Sequence, residues 1–157
     1  MGRVRGFQME TFVPAPREEV FDYFSRAENL GEVTPPELKF RILTPLPIVM
    51  RVGAVIDYKI ALLGVPFSWK TQITEWDPPH RFADNQLRGP YQQWLHIHEF
   101  TETDCGTKMI DRLTYKIAAG PFEPLVNQMF VGPKIKEIFE YRSQVIRRVF
   151  EKIPARV

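Results

Sequence analysis

The stretch Trp94-Leu95-His96-Ile97-His98-Glu99-Phe100, the tetrapeptide Thr103-Asp104-Cys105-Gly106 and the run Lys108–Ile117 decide how this chain folds. The tetrapeptide has the composition of a tight turn, and a connection this short joins antiparallel strands. In the second run, charged residues alternate with a second set that belongs on the inward face: Met109, Asp111, Leu113, Tyr115 and Ile117. The stretch therefore predicts an antiparallel hairpin with one acid, Asp111, on an apolar face.

Further strands are predicted on the N-terminal side of this hairpin, separated by short turn signals such as Leu63-Gly64 and Asp77-Pro78-Pro79. Because the connections are short, the strands form an antiparallel meander and not a parallel βαβ sheet. The seven predicted strands are Arg3–Val13, Leu38–Leu43, Ala54–Leu62, Val65–Trp76, Arg81–Leu87, Tyr91–Phe100 and Lys108–Ile117.

Three helices complete the predicted fold. Arg17–Phe24 shows helical spacing of its apolar residues, and Ser25 is expected to cap a second short helix that ends at Leu30. After Gly120-Pro121 a long amphipathic helix follows, which Pro133 should kink. The order of elements predicts one α+β domain over residues 1–157.

Composition excludes several classes of protein. The 157 residues carry a net charge of only +2 with acids and bases interspersed, so no nucleic-acid partner is expected. No apolar run is long enough to span a membrane, and the first residues lack the apolar core of a secretory signal. The expectation is a cytoplasmic protein without membrane insertion, a monomer or weak homodimer. The single cysteine, Cys105, allows no intramolecular disulfide and is not a predicted nucleophile.

Strand register predicts which polar residues meet inside the sheet. A pairing that sets Phe100 opposite Met109 also sets His98 opposite Asp111 and Trp94 opposite Tyr115. The same reasoning places Asp84 and Gln86 on the face of Trp94 and His96, and sets Tyr58 opposite Trp69. The predicted ligand-binding set is Tyr58, Trp69, Asp84, Gln86, Trp94, His96, His98, Asp111, Leu113 and Tyr115. Aromatic residues on the concave face of a bent sheet leave space against the long helix, so a pocket is expected.

The polar members of this set allow three interpretations. His98 and Asp111 could satisfy each other in a buried polar network. They could instead orient the polar end of a ligand. In the third interpretation His96, His98 and Asp111 perform acid/base chemistry, or His96-x-His98 joins a carboxylate to hold zinc or iron. Because one strand supplies only two imidazoles and His80 lies at a distant turn, no metal and no cofactor are predicted.

Two further features have competing interpretations. Arg142 lies on or beside the apolar stripe of the last helix, where a snorkelling or salt-bridged role is favoured over anchoring a ligand carboxylate. The proline-rich segment 44–50 is either a lid over the pocket or an exposed surface for a protein partner.

The sequence resembles the START-like, or SRPBCC, superfamily of helix-grip ligand-binding proteins. The resemblance rests on Phe12–Phe21, Trp76 with Asp77-Pro78-Pro79, Phe82–Gln86, and above all Gly89–Phe100. The last run, which reads Gly-Pro-Tyr-x-x-Trp-x-His-x-His-x-Phe, is similar to one bacterial subgroup. The resemblance implies a seven-stranded curved antiparallel sheet that grips a C-terminal helix around a hydrophobic cavity. It also implies a carrier or sensor of a small hydrophobic molecule or, alternatively, a polyketide-cyclase-like or dehydratase-like enzyme that uses His96, His98 and Asp111.

Overall fold

Seven antiparallel strands form one sheet in the spatial order β1-β7-β6-β5-β4-β3-β2. The computed structural model describes residues 2–151, so both ends of the predicted 1–157 domain lie outside the described residues. The strands are β1 (Arg5–Val13), β2 (Arg41–Ile42), β3 (Val55–Leu62), β4 (Val65–Asp77), β5 (Arg81–Arg88), β6 (Gln93–Thr103) and β7 (Gly106–Lys116). All strand pairs except β1–β7 join chain neighbours, which is the meander that the short turns predict.

Helices flank this meander on both sides along the chain. They are α1 (Arg17–Ser25), α2 (Glu123–Val126) and the 20-residue α3 (Gly132–Glu151). Pro16 stands directly before α1, where its missing N–H costs no intrahelical bond, and Glu18 and Glu19 occupy the first turn, where the helix dipole favours acids. α3 buries one stripe, Ile135, Phe139, Arg142, Val145, Ile146 and Phe150. The predicted α+β class and helix-grip architecture are confirmed.

The predicted register of the central hairpin is confirmed. β6 and β7 pair Phe100 with Met109, His98 with Asp111 and Trp94 with Tyr115. On β7 the inward positions Thr107, Met109, Asp111, Leu113 and Tyr115 are all buried. A shift of one residue would turn this whole set to solvent, so apolar burial fixes the register.

Two local predictions are wrong. The helix expected from Ser25 to Leu30 is a single 3-10 turn over Ala27–Asn29, and the Ser25 hydroxyl donates back to the Asp22 carbonyl at 3.1 Å instead of capping it. The strand Leu38–Leu43 shrinks to Arg41–Ile42, because Leu38 belongs to a 3-10 turn and Lys39 takes a left-handed φ of 47°.

The predicted kink at Pro133 stays a prediction. α2, a π-helical turn at Asn127–Val131 and α3 follow one another without a break, and Val126 and Gly132 both have right-handed helical backbone. The irregular turn therefore lies directly before Pro133, whose missing N–H cannot complete a regular α-helical hydrogen bond.

A dry core lies between α1, α3 and one end of the sheet. It is called the α1 core here and consists of Val13, Ala15, Val20, Phe21, Phe24, Val33, Phe82, Phe100, Met109, Val145, Ile146 and Phe150. Phe21 packs its ring against those of Trp76, Phe82 and Phe100 at centroid distances of 5.3–5.7 Å. Burial of this set supplies the apolar stabilisation of this end of the fold.

Within residues 2–151, no helix has both the length and the apolar character needed to cross a membrane.

Candidate ligand-binding cavity

A cavity of about 150 Å³ lies beyond the α1 core, between the sheet and the first half of α3. A single water needs about 10–15 Å³ by such a measure, so this space is far larger than one solvent molecule requires. Its walls are mostly apolar and include Ile56, Ile60 and Ile73 from the sheet, Ile138 and Phe139 from α3, and Met50 from the segment before β3. An apolar cavity of this kind gains by holding an apolar molecule.

Aromatic rings form one wall of the cavity. Tyr58 and Trp69 stack with centroids 5.7 Å apart and planes 14° apart, as their predicted pairing across β3 and β4 requires. Trp94 meets Trp69 edge to face at 5.2 Å, and Tyr91 packs on Trp94 at 4.6 Å. These contacts between neighbouring rings fix the orientation of the four aromatic side chains.

Two histidines and two carboxylates form the polar end of the cavity, where His96, His98 and Asp111 are buried and Asp84 is partly exposed. His96 Nε2 lies 2.7 Å from Asp111 Oδ1, and His98 Nε2 lies 3.0 Å from Asp84 Oδ2. His98 and Asp111 therefore each form their short hydrogen bond with another residue, and not with each other as expected, although they lie opposite each other in the β6–β7 register. The imidazoles of His96 and His98 lie only 3.7 Å apart, so Asp111 reaches both, and the closer contact goes to the diagonal neighbour.

Arg142 enters this end of the cavity from α3. It is 9% exposed, its Nη2 lies 3.1 Å from His98 Nδ1 and 3.9 Å from Asp111 Oδ1, and its guanidinium lies over the Phe24 ring. The expected salt bridge exists, but the snorkelling alternative is wrong because the head group is buried. A guanidinium only donates hydrogen bonds, so His98 Nδ1 is the acceptor and His98 Nε2 carries the hydrogen given to Asp84.

Burial and charge fix the protonation of the cluster. Burial, and next to it the neighbouring His98, lower the pKa of His96 to about 4, which leaves this imidazole neutral at pH 7. Burial alone would raise the pKa of Asp111, but the Arg142 guanidinium and the hydrogen bond from His96 outweigh it, so the pKa lies well below its ordinary value. The pKa of Asp84 is also lowered, because its hydrogen bond to His98 and the nearby Arg142 guanidinium outweigh its own burial.

The structure brings six of the ten predicted ligand-binding residues to the cavity wall: Tyr58, Trp69, Asp84, Trp94, His96 and His98. The other four do not line it. Gln86 points its amide at the backbone of Tyr91, donating to the carbonyl at 2.7 Å. Asp111 is 2% exposed and lies behind His96, where it is the acceptor of the imidazole hydrogen.

Leu113 and Tyr115 belong to a second apolar cluster with Ile117, Ile135 and Phe139. The Tyr115 hydroxyl donates to Asn127 Oδ1 at 2.7 Å, away from the cavity. The strand pattern correctly predicts which residues face inward, but it does not determine which of them border the cavity. α3 packs directly on the end of β7 that holds Leu113 and Tyr115, so these two side chains do not reach the cavity.

Sequence reasoning missed residues on the other side of the cavity. Leu38 and Phe40 line it from the irregular chain between α1 and β3, and no periodicity marks such residues. Met50 also lines the cavity, and it belongs to the segment 44–50 that the sequence offers as a lid. Arg142 did carry a signal, since a charged residue on the buried stripe of α3 needs a partner inside the protein.

Asp84, His96 and His98 each place one ligand atom within 4.8 Å of the others, the spacing that a metal ion would use. However, both ring nitrogens of His98 already serve Asp84 and Arg142, and a cation at this point would face the Arg142 guanidinium. A metal ligand must offer a lone pair, so the arrangement suits hydrogen bonding better than coordination.

The fold is a helix-grip fold with a cavity between the sheet and α3. Residues 13–135 match the family described as polyketide cyclase / dehydrase and lipid transport, and the chain belongs to this family. No curated protein matches the chain in sequence.

Solved structures with the same fold have low sequence identity to this chain. The Zhui aromatase/cyclase from Streptomyces sp. R1128 is 16% identical with a TM-score of 0.76, and the alignment covers 96% of this chain and 95% of that one. The protein TTHA0849 from Thermus thermophilus is 22% identical with a TM-score of 0.68, over 92% and 95% of the two chains. The di-domain ARO/CYC StfQ from the steffimycin biosynthetic pathway is 14% identical with a TM-score of 0.70, over 95% of this chain and 52% of that one.

Proposed function

We propose that this protein binds one small, mainly apolar molecule inside the cavity, as a carrier or sensor, with the polar end of the ligand at the His96, His98 and Arg142 cluster. The observation that carries the proposal is the cavity itself, about 150 Å³ lined chiefly by aliphatic and aromatic side chains. Unfilled apolar space of this size forfeits dispersion contacts, so a molecule that fills it gains free energy.

The family supports the same interpretation, because its description includes lipid transport and polyketide chemistry, both of which involve apolar molecules. The aromatic wall of Tyr58, Trp69 and Trp94 supplies shape, and the polar cluster supplies orientation. Such a division between apolar walls and a few convergent polar groups is typical of small-molecule sites.

The test is a titration with N-phenyl-1-naphthylamine, a neutral dye that fluoresces in apolar surroundings. Wild-type protein should bind it with one site per chain. The Ile138→Trp variant fills the cavity from α3 and should abolish binding, with a stability cost of about 1–3 kcal/mol from overpacking.

The matched control is Leu87→Trp, which places the same side chain on an exposed position of β5 outside the cavity. This variant should bind the dye as wild type does. Equal dye binding by Ile138→Trp and Leu87→Trp would contradict the proposal.

A second candidate function is acid/base catalysis of a cyclase or dehydratase type. Asp111 accepts the His96 Nε2 hydrogen at 2.7 Å, which leaves Nδ1 of this cavity-lining imidazole as a free base. A base so placed would remove the acidic α hydrogen of a bound ketone. Incorporation of solvent deuterium at that carbon, lost in His96→Gln with binding retained, would support catalysis, and wild-type exchange no faster than in buffer would exclude it.

A further inference from the structure

An apolar strip on the chain between β7 and α3 is exposed to solvent. It consists of four large side chains, each 51–68% exposed: Phe122, Leu125, Met129 and Phe130. Their spacing of i, i+3, i+7 and i+8 on a helical segment places them on one side of it. Contiguous apolar surface of this kind is uncommon on a monomeric protein and marks a place where another surface binds.

The inner side of the same segment is anchored to the sheet. Val126 packs on the second apolar cluster, and Asn127 accepts the hydrogen bond of the Tyr115 hydroxyl at 2.7 Å. The Glu123 carboxylate accepts hydrogen bonds from Arg5. These contacts hold the segment with the apolar strip facing outward, so folding of the domain does not bury the strip.

A polar cleft lies directly beside this segment. It is lined mostly by polar atoms and includes Arg3, Val4, Arg5, Gly6, Tyr115 and Asn127. Hydrogen bonds from Arg5, followed by the positive charges of Arg5 and Arg3, outweigh burial and lower the pKa of Glu123, so this acid is ionised. One carboxylate balances only one of the two guanidiniums. The cleft therefore carries a net charge of +1.

The charges around the apolar strip are positive. Between Lys116 and Lys134 the only charged residue is Glu123, which is buried and paired. Lys134 contacts two acids, whereas Arg3 and Lys116 have no salt bridge in the part of the chain that the structure describes. An apolar surface bordered by free cations fits the interface of an anionic lipid bilayer. A second copy of this chain fits less well, because a two-fold contact would place two positive clefts against each other.

We propose that this face of the protein docks on the surface of an anionic phospholipid membrane, with the apolar strip in the interfacial layer and a lipid phosphate bound by Arg3 in the polar cleft. A guanidinium matches phosphate oxygens in charge and geometry. The attachment is peripheral, which agrees with the lack of a membrane-spanning helix among the described residues. The inference goes beyond the proposed function, because it concerns a different surface.

The test is co-sedimentation of the full chain with vesicles. Wild-type protein should bind vesicles of equal parts phosphatidylcholine and phosphatidylglycerol about tenfold or more tightly than vesicles of phosphatidylcholine alone, as two free cations near anionic lipid allow. This binding should weaken as the salt concentration rises.

Leu125→Glu tests the apolar strip. It removes an apolar side chain from the interface and adds a charge of the same sign as the lipid, so it should weaken binding to the mixed vesicles about tenfold or more. Leu46→Glu is the matched control, because Leu46 is exposed to nearly the same extent but lies in the segment 44–50. This control should bind as wild type does.

Arg3→Gln tests the polar cleft. Loss of one cation at the lipid surface should weaken binding to the mixed vesicles about three- to fivefold and leave binding to phosphatidylcholine unchanged. Arg147→Gln makes the same change in net charge on an exposed position near the far end of α3 and should have no such effect.

Equal vesicle binding by Leu125→Glu and Leu46→Glu, or no binding by wild-type protein, would overturn the inference. A dimer in sedimentation velocity without lipid that Leu125→Glu dissociates would assign the apolar strip to a second copy of the chain and also overturn it. Titration with N-phenyl-1-naphthylamine in the absence of vesicles reports on the cavity alone, and all four variants should bind the dye as wild type does. Failure of docking is therefore distinguishable from failure of the proposed function.

Discussion

The two ends of the sheet's inner face use burial in opposite ways. The α1 core consists of apolar side chains, and Phe21, Phe82 and Phe100 fill the space with contacting rings. At the cavity end the same strands present His96, His98 and Asp111, and a space of about 150 Å³ is left between them and α3. Well-packed apolar residues stabilise a fold, whereas a buried charged cluster beside an open space contributes less and is retained where it serves a ligand.

The strongest test of the contrast removes a ring from the α1 core. Phe21→Ala should lower the free energy of unfolding by about 3–5 kcal/mol, because it deletes a 5% exposed ring with three aromatic contacts. Urea denaturation measures the loss. Since Phe21 does not line the cavity, folded Phe21→Ala protein should bind N-phenyl-1-naphthylamine as wild type does, and a parallel loss of affinity would show that the two ends are not separate.

A smaller loss is expected at the polar end from Asp111→Asn. The variant replaces the charged acceptor of the His96 hydrogen bond and removes a negative charge beside the buried Arg142 guanidinium. The free energy of unfolding should therefore fall by about 2–3 kcal/mol. Asp104→Asn, in the exposed β6–β7 turn, is the control and should change stability by no more than about 0.5 kcal/mol. If the two variants were equally stable, the buried network would not exist as described.

The pH dependence should be smaller again and has a definite sign. The pKa of His96 is about 4 in the folded protein, below its ordinary value near 6.5, so between these values the unfolded chain binds more protons. Stability is therefore fully present above about pH 6.5 and falls as the pH decreases, by about 2 kcal/mol from His96 between pH 7 and 5. The stability contributed by Asp84 and Asp111 is lost only at lower pH, where carboxylates become protonated.

Thermal unfolding at pH 7 and pH 5 measures this change. In His96→Gln the loss of stability between pH 7 and pH 5 should be smaller than in wild type by the His96 contribution, because the amide still donates to Asp111 but does not titrate. His80→Gln, at an exposed turn, should keep the wild-type pH dependence. A full wild-type drop in His96→Gln would assign the effect to another group.

The fold was largely predictable because alternation and turn residues act locally. The orientation of β7 follows from three charged residues on one of its faces, Lys108, Arg112 and Lys116. The short turn at Asp104 makes β6 its antiparallel partner. The errors arose where one local preference is replaced by another local conformation that the pattern does not indicate. Ser25 bonds backward to Asp22, and Lys39 adopts a left-handed conformation that no propensity rule marks.

The site was only partly predictable for a related reason. Register places His98 opposite Asp111, but the hydrogen bonds depend on ring orientation and on Arg142, which comes from an element 44 residues further along the chain. The position of α3 also decides that Leu113 and Tyr115 are packed while Trp69 and Trp94 border empty space. Helix placement over a sheet is a property of the whole core, and no single stretch of sequence specifies it.

The most direct test of the central claim is a ¹H–¹⁵N correlation spectrum of the histidine rings with and without the neutral dye N-phenyl-1-naphthylamine. The account predicts Nε2–H imidazoles at His96 and His98 at pH 7, and ring resonances of these two that shift on addition of the dye while those of exposed His80 stay fixed. Saturable dye binding that leaves the His96 and His98 resonances unmoved would place the ligand elsewhere and contradict the account.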